Sequence, residues 1–230
     1  MRIEVITLNH EDTKQAAQLG ADRVELVSAM AEGGLTPSYG TVKHALQTAA
    51  IPVQVMIRPH SHGFVYTKTD WDIIRDDIDM VRSLGGRRIV FGCTTEGGQI
   101  DETLLNKVLE RADGFDITFH RAFDTLRSQQ EGYVLLNKYK KQIARILTSG
   151  GEQKAKDAIP QLQQLIAKSK QLNGPTILVG SGIKPEELPN LHRELCAEEY
   201  HLGTGVRQDG NMHLPIDPEK MKMMNHSLKK

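Results

Sequence analysis

The feature that most constrains the fold is a repeat. Short apolar runs rich in β-branched residues alternate with longer amphipathic segments along almost the whole chain. The predicted strands are residues 3–7, 23–27, 52–57, 88–91, 116–120, 143–148, 176–179 and 200–202. The predicted helices between them are residues 10–19, 38–48, 70–84, 102–110, 133–139, 155–170 and 186–194. Eight such units predict an α/β fold of the (β/α)8 TIM-barrel class. An open doubly wound sheet is the alternative, but no GxGxxG loop follows the first strand, which favours a closed barrel.

The last of the eight units is incomplete. After Gly203 the chain continues with polar and glycine residues and then Pro215 and Pro218, so the eighth helix is predicted to be short or absent. We therefore predict one barrel domain over residues 1–205 and a partly irregular tail over residues 206–230. Either this tail or a second subunit must cover the outside of the eighth strand, and a homodimer is the expected assembly.

The charge balance excludes several classes of partner. The chain has 230 residues, with 29 basic and 29 acidic side chains, which argues against binding to nucleic acid or to an anionic membrane. No apolar run is long enough to span a bilayer, and no secretion signal opens the sequence. The two cysteines, Cys93 and Cys196, form no CxxC motif or disulfide framework. We therefore expect a cytoplasmic protein.

Polar side chains collect where the predicted strands end, which is the edge that carries the reacting groups of TIM barrels. In the run from Asp116 to Asp124, strand alternation directs Thr118 and His120 into the barrel mouth. The candidate catalytic residues are Glu25, Arg58, His120, Arg121 and Asp124. Glu25 or His120 is expected to act as acid or base, while the arginines hold an anionic substrate.

Two glutamates lie within strands that are expected to be buried, Glu4 in the first and Glu25 in the second. A buried carboxylate needs a charged or hydrogen-bonding partner. Each glutamate has a structural interpretation, as half of an ion pair with an arginine inside the barrel, beside the functional one.

Glycine-rich turns follow the sixth, seventh and eighth strands. Glycines let backbone N–H groups approach an anion, and the turns after strands seven and eight form the phosphate position of many TIM barrels. The candidate anion-binding residues are Ser149, Gly150, Gly180, Ser181, Gly182, Gly203 and Thr204. The alternative is that these glycines only permit tight turns.

Signals for a metal are weaker. Cys93 follows the fourth strand and is the candidate thiol ligand, expected beside the mouth. His60 and His62 lie two residues apart on a loop, where most such pairs are solvated. The methionines between positions 221 and 224 suit Cu(I) chemically, but are interpreted as part of a mobile tail.

Six motifs, in order, resemble the CutC family, which is named for copper homeostasis. They are Ala-Asp-Arg-Val-Glu-Leu at 21–26, Gly-Gly-Leu-Thr-Pro-Ser at 33–38, Val-Met-Ile-Arg-Pro at 55–59, Val-Phe-Gly at 90–92, Thr-Phe-His-Arg-Ala-Phe-Asp at 118–124 and Leu-Thr-Ser-Gly-Gly at 147–151. The resemblance spans about residues 2–205 and implies a cytoplasmic TIM-barrel protein, often dimeric, assigned to copper handling. Many members carry a cysteine after the Glu-Leu pair, where this chain has Val27. Met30, Met56 and Cys93 are expected to replace that thiolate only if the fold brings them together.

The sequence supports two functional hypotheses. The resemblance implies a cytoplasmic copper-homeostasis protein that either binds Cu(I) weakly or acts indirectly, so copper is the cofactor that it suggests. The strand ends favour instead a TIM-barrel enzyme that acts on a small metabolite bearing phosphate or carboxylate, because carboxylate, imidazole and guanidinium groups suit an anionic organic ligand better than soft Cu(I). Whether the protein is an enzyme stays open at this level.

Overall fold

The computed structural model describes residues 1–227, and the last three residues of the predicted tail lie outside the described range. Eight parallel strands close into a barrel in sequence order, which confirms the TIM-barrel prediction. The strands are β1 (Arg2–Thr7), β2 (Arg23–Leu26), β3 (Val53–Met56), β4 (Arg88–Phe91), β5 (Asp116–Phe119), β6 (Ile143–Thr148), β7 (Thr176–Gly180) and β8 (Glu199–Leu202). The first and last strands pair in parallel, with Glu4 opposite His201, and this pairing closes the barrel.

The helices pack around the strands. They are α1 (His10–Gln18), α2 (Tyr39–Thr48), α3 (Lys68–Ser83), α4 (Glu102–Arg111), α5 (Gln129–Asn137), α6 (Ile159–Leu172), α7 (Leu188–Leu195) and α8 (Pro218–Ser227). Local chemistry sets several starts: at α3, Thr67 and Asp70 form a reciprocal capping box. The apolar faces of the helices and the outward side chains of the strands form one large core. No helix within residues 1–227 is long and apolar enough to cross a membrane.

The eighth helix is present, so the suggestion that it might be absent is wrong. Asp217 Oδ1 accepts hydrogen bonds from the backbone N–H of Glu219 and Lys220, and Pro218 occupies the first helical position. Asp followed by Pro is a strong helix start. Met221 and Met224 of α8 are fully buried in the core rather than part of a mobile tail. This packing removes the argument that a second subunit must cover β8, and the homodimer stays a prediction.

The segment between β8 and α8 is tied to the first βα unit. Arg207 is almost fully buried, and its guanidinium forms an ion pair with Asp12 at 2.8 Å. The same guanidinium donates to the carbonyl oxygen of Ile6, 2.8 Å away. Gln15 exchanges hydrogen bonds with the backbone of Ile216. These contacts hold residues 206–217 against the barrel, although the segment has no regular structure beyond two short 3₁₀ turns.

Candidate active site

A cavity of about 250 Å³ opens at the carboxyl ends of the strands. It is where the fold places the reacting groups of TIM-barrel enzymes. The polar and charged lining residues are Glu25, Arg58, His120, Arg121, Ser181, His201 and Thr204. The remaining lining consists of Gly33, glycines of the β7 and β8 turns, and apolar side chains that include Met30, Met56 and Phe64. The structure thus brings together most of the residues that the sequence singled out.

A layer of buried charges lies beneath this cavity, inside the barrel. Arg23 donates to Glu4 through Nε and to Glu199 through Nη2, the latter at 2.7 Å. Arg145 binds both carboxylate oxygens of Asp116, at 2.7 and 3.0 Å, and lies 3.5 Å from Glu199. Glu4 is therefore half of a structural ion pair, as the alternative interpretation of the sequence held.

Glu4 also orients a histidine toward the cavity. His201 Nδ1 lies 2.8 Å from Glu4 Oε1, and because Glu4 is a carboxylate held by Arg23, the imidazole must be the donor. The other ring nitrogen, Nε2, lies 3.6 Å from Glu25 Oε2. Within residues 1–227, Glu25 Oε1 and both polar atoms of neighbouring Gln54 have no hydrogen-bond partner. Glu25 and His201 thus form a buried pair beside the cavity, and one carboxylate oxygen of the pair is left without a hydrogen-bond donor.

The surroundings of Glu4, Glu25 and His201 shift their pKa values in different directions. Burial alone would raise the pKa of Glu4, but the charge of Arg23 and the hydrogen bond from His201 outweigh it and hold the pKa at about 2. Burial raises the pKa of Glu25 to about 7, against the attraction of His201. Burial would lower the pKa of His201, but the charge of Glu25 and the bond to Glu4 outweigh it and raise that pKa. One proton is therefore shared between Glu25 and His201 near neutral pH.

The ion pairs lead to the same conclusion. Glu4 and Glu199 each pair with a buried arginine, whereas the one ion-pair partner of Glu25 within the described residues is His201. A buried, uncompensated charge is strongly disfavoured. A proton on the Glu25–His201 pair neutralises it.

A metal ion is the other candidate for the positive charge that would neutralise this carboxylate. Oxygen and nitrogen atoms of Glu4, Glu25 and His201 lie within 4.8 Å of one another, the one such group of His, Cys, Asp or Glu side chains in the described chain. However, both oxygens of Glu4 are already engaged, one by Arg23 and one by His201. Two free ligands remain, fewer than the three protein ligands of a typical catalytic zinc site. The site therefore suits protonation of the Glu25–His201 pair better than binding of a metal ion.

The buried Glu25 makes a prediction about stability. Because folding raises its pKa from the ordinary value of 4.5 to about 7, the native state binds the proton more strongly, and stability falls as pH rises through this window. We expect Glu25→Gln to increase the free energy of unfolding at pH 8 by roughly 1–3 kcal/mol, with little change at pH 4.5. Urea unfolding at both pH values measures this. Glu96→Gln, at an exposed position, is the control. A destabilised Glu25→Gln protein at pH 8 would contradict the assignment.

Cys93 does not lie at the mouth as expected. Its side chain is fully buried in the main hydrophobic core, and Sγ contacts the carbonyl oxygen of Asp101 at 3.4 Å. Burial raises the pKa of the thiol above its ordinary value, so the thiolate that binds metals is disfavoured. Met30 and Met56 do line the cavity, but they pack in a separate apolar cluster with Met212 and Val27. The fold therefore does not bring Cys93 to the two methionines.

The turns after β7 and β8 present a set of backbone donors. Within the described chain, no hydrogen-bond acceptor takes the N–H groups of residues 181–183 or 203–205, and all of these residues line the cavity. Ser181 and Gly182 adopt φ values of 82° and 68°, the left-handed region that turns successive N–H groups toward one side. The two turns touch at Gly205, where a Cβ atom would lie 2.0 Å from the carbonyl oxygen of Ile183. Only glycine allows this approach.

Arg121 reaches these turns from β5. Its guanidinium donates to Ser149 Oγ at 2.9 Å and contacts Ser181 Oγ at 3.4 Å. Nε forms an ion pair with Asp124 at 2.7 Å, and 43% of the side chain stays exposed. The guanidinium is thus positioned beside the acceptor-free backbone donors while still open to a ligand.

Asp124, one of the predicted catalytic residues, lies outside the cavity lining. Only 8% of its side chain is exposed, and it accepts hydrogen bonds from the side chains of Thr148 and Arg121 and from the backbone and side chain of Ser149. Both carboxylate oxygens are therefore occupied. Ser149, Gly150 and Gly180 also lie outside the lining, and of these three only Ser149 contacts Arg121.

Arg58 and His120 form the opposite wall of the mouth. Arg58 donates to the carbonyl oxygens of Glu32 and Gly34, and its guanidinium lies 4.9 Å from the centre of the Phe64 ring. The Phe64 ring in turn lies 4.9 Å from that of His120. Burial, and then the charge of Arg58, lowers the pKa of His120 to about 3, so this imidazole is neutral at physiological pH. His120 is therefore not the group in this cavity that titrates near neutral pH, whereas the pKa of Glu25 lies there.

Sequence reasoning did not select His201 as a site residue and left the role of Glu4 open. Both were visible at strand positions, and alternation along β8 places Glu199 and His201 on the same inner face. Their pairing follows from the register that closes the barrel, Glu4 opposite His201, which no local pattern reveals.

Fold and site together define a (β/α)8-barrel protein with a polar pocket at the carboxyl ends of its strands. The chain belongs to the CutC family, whose profile matches residues 1–206. It is 38% identical to family protein CutC of Enterobacter sp. (strain 638) over 203 residues, 88% of this chain and 80% of that protein. It is 35% identical to family protein CutC of Pasteurella multocida, covering 90% of this chain and 84% of that protein.

Solved structures support both the family assignment and the barrel fold. The putative copper homeostasis protein CutC from Streptococcus agalactiae superposes with a TM-score of 0.81 at 28% identity, covering 88% of this chain and 98% of the other. Phosphoribosyl anthranilate isomerase from Thermotoga maritima superposes with a TM-score of 0.65 at 14% identity, covering 100% and 98% of the two chains. At that identity the second likeness shows the barrel fold alone.

Proposed function

We propose that this protein is an enzyme that moves a proton on a small phosphorylated metabolite bound in the barrel mouth. One observation carries the proposal: the proton-sharing pair Glu25–His201 and the acceptor-free backbone N–H groups of residues 181–183 and 203–205 line the same cavity. A binding module needs the donors but has no use for a buried carboxylate whose pKa is tuned to about 7.

The donors select an anion with several acceptor oxygens. Backbone N–H groups from two turns, together with the guanidinium of Arg121, match the acceptors and charge of a phosphate group. A carboxylate has only two oxygens and one charge, so it would leave some of these hydrogen-bond donors without an acceptor. A cavity of about 250 Å³ limits the ligand to a small metabolite.

The Glu25–His201 pair provides the acid and the base. A group whose pKa lies near the working pH holds both protonation states in useful amounts, and a positioned acid or base typically contributes 10²–10⁴-fold to the rate. Glu4 acts as a positioning residue, because its hydrogen bond fixes the imidazole so that Nε2 points at Glu25.

Phosphate binding tests the proposal. Isothermal titration calorimetry with inorganic phosphate is expected to show one site per chain, and Arg121→Ala is expected to weaken it about tenfold, because a charge-assisted hydrogen bond is lost. Arg193→Ala, which removes an exposed arginine of α7, is the matched control and should leave the affinity unchanged. Absence of binding, or equal affinity for the Arg121→Ala protein, counts against the proposal.

A role in copper homeostasis with weak Cu(I) binding is the second candidate. Its support is the name of the Streptococcus agalactiae relative and the presence of Met30 and Met56 in the cavity lining. The donors fit Cu(I) poorly, because Val27 replaces the family's cysteine and the thiol of Cys93 lies in the core. A cytoplasmic location is proposed with it, supported by the family resemblance and by two free cysteines.

Competition with a Cu(I) chelator decides between the two. We expect the reduced protein to withdraw no Cu(I) from a chelator of about picomolar affinity, and Met56→Leu to behave like the wild type, since thioethers without a thiolate bind Cu(I) weakly. Stoichiometric withdrawal of Cu(I) that Met56→Leu abolishes would instead support copper as the ligand.

A further inference from the structure

His120 is a buried imidazole with one free hydrogen-bond donor. Its Nδ1 accepts a hydrogen bond from the backbone N–H of Ala122 at 3.1 Å. A neutral imidazole that accepts at Nδ1 carries its proton on Nε2. Within residues 1–227, Nε2 has no hydrogen-bond partner, although the ring lines the cavity. A buried N–H without an acceptor is costly, so it points to a ligand atom.

The surroundings hold the ring in this one state. The ring packs against the backbone at Gly92, where a Cβ atom would lie 2.5 Å from Nδ1, and Phe64 covers it from the loop after β3. The nearby charge of Arg58 disfavours a second proton on the imidazole. Tautomer, orientation and charge are thus fixed before a ligand arrives, as electrostatic catalysis requires.

We propose that His120 donates its Nε2 hydrogen bond to a carbonyl oxygen of the substrate, and that the reaction removes a proton from the carbon next to that carbonyl. This inference rests on the proposed function and names its reaction class. The substrate is then a small phosphorylated aldehyde, ketone or related carbonyl compound.

The step balances without a further reagent. The Glu25 carboxylate takes the proton from carbon, the electron pair of the C–H bond forms a carbon–carbon double bond, and the carbonyl π electrons move to oxygen. The resulting enolate oxygen accepts the hydrogen bond from His120 Nε2, which keeps its proton and stays neutral. Where the deprotonated carbon carries a hydroxyl group, the hydroxyl proton passes to the enolate oxygen, and Glu25 returns its proton to the former carbonyl carbon. The new carbonyl then lies at the carbon that was deprotonated, which completes an isomerisation. A neutral donor suits this oxygen, because it stabilises charge that develops only during the reaction.

Binding of an enolate mimic tests this role. The probes are inorganic phosphate and phosphoglycolohydroxamate, in which a hydroxamate stands in for the enolate. We expect His120→Leu to weaken hydroxamate binding about tenfold and to leave phosphate binding unchanged, since the hydrogen bond that is lost goes to the enolate oxygen and not to the phosphate. His120→Gln, which keeps an N–H donor, should restore most of the affinity. Long-range ¹H–¹⁵N correlation spectra should show the Nε2–H tautomer of His120 from pH 8 down to pH 5.

The outcomes separate the two proposals. If the wild type binds no phosphate, the proposed function fails and the role of His120 fails with it. If phosphate binds but His120→Leu leaves the hydroxamate affinity unchanged, only the role of His120 is overturned. A proton on Nδ1, or a second proton on the ring at pH 5, overturns that role as well.

Discussion

Replacing Gly205 by alanine is expected to abolish phosphate binding while leaving the barrel folded. The added Cβ atom would lie 2.0 Å from the carbonyl oxygen of Ile183, and this neighbour is backbone that cannot rotate away. The β7 and β8 turns must therefore separate, and their N–H groups no longer converge on one anion. Losing about two charge-assisted hydrogen bonds corresponds to a loss of affinity of about 100-fold or more. Calorimetric titration with inorganic phosphate measures this.

Gly40→Ala is the matched control for that substitution. Gly40 lies in α2, and a Cβ atom there meets no other atom within 4 Å. Alanine in a helix is about 0.5–1 kcal/mol more favourable than glycine, so this protein should be slightly more stable and bind phosphate normally. Unchanged phosphate affinity in the Gly205→Ala protein, with a native circular dichroism spectrum, would remove the two turns from the proposed site.

Replacing Arg23 by methionine is expected to cause the largest loss of stability. Methionine fills a similar volume, but Glu4 and Glu199 lose the guanidinium that both of them contact inside the barrel. Removing one partner from a buried ion pair typically costs 3–5 kcal/mol, because the remaining charge is left without compensation. Urea unfolding at pH 7 should show a loss of about this size.

The control for Arg23 is an exposed arginine. Arg75 pairs with Asp72 and Asp76 on the surface of α3, and 40% of its side chain is exposed. Arg75→Met is expected to change stability by less than about 1 kcal/mol. A loss below about 1 kcal/mol in the Arg23→Met protein would show that the buried layer is far less important than its geometry indicates.

The barrel could be predicted because short stretches of sequence indicate each of its elements. Each strand is a short β-branched run and most helices carry an apolar face, so the spacing of apolar residues and the alternation of strands with helices are enough to predict the fold. The eighth helix was predicted to be short or absent because its sequence, rich in lysine and methionine, has a weak apolar face and the helix start at Asp217–Pro218 was not considered. Its two buried methionines contact the core only because the chain returns to the barrel over the preceding irregular segment.

The candidate site was predictable in part for the same reason. Glu25, Arg58, His120 and Arg121 stand at strand ends, and strand ends converge in this fold whatever the details. What sequence could not give is the state of each group. His120 is a neutral donor because it is buried, lies near the charge of Arg58 and accepts the backbone N–H of Ala122. Glu25 has a raised pKa because the closed barrel buries it and places it near the charge of Glu4, against the attraction of His201.

Solvent deuterium exchange tests the central claim most directly. A panel of small phosphorylated carbonyl compounds is incubated with the protein in D₂O and followed by ¹H NMR, which reports the loss of any C–H signal next to a carbonyl. We expect at least one compound that binds in the mouth to exchange this proton. The exchange should fall at least 100-fold in the Glu25→Gln protein, which the buried charge balance predicts to be folded and stable at pH 8. If compounds that bind in the mouth show no exchange, or exchange equally fast with Glu25→Gln, the acid–base account is contradicted.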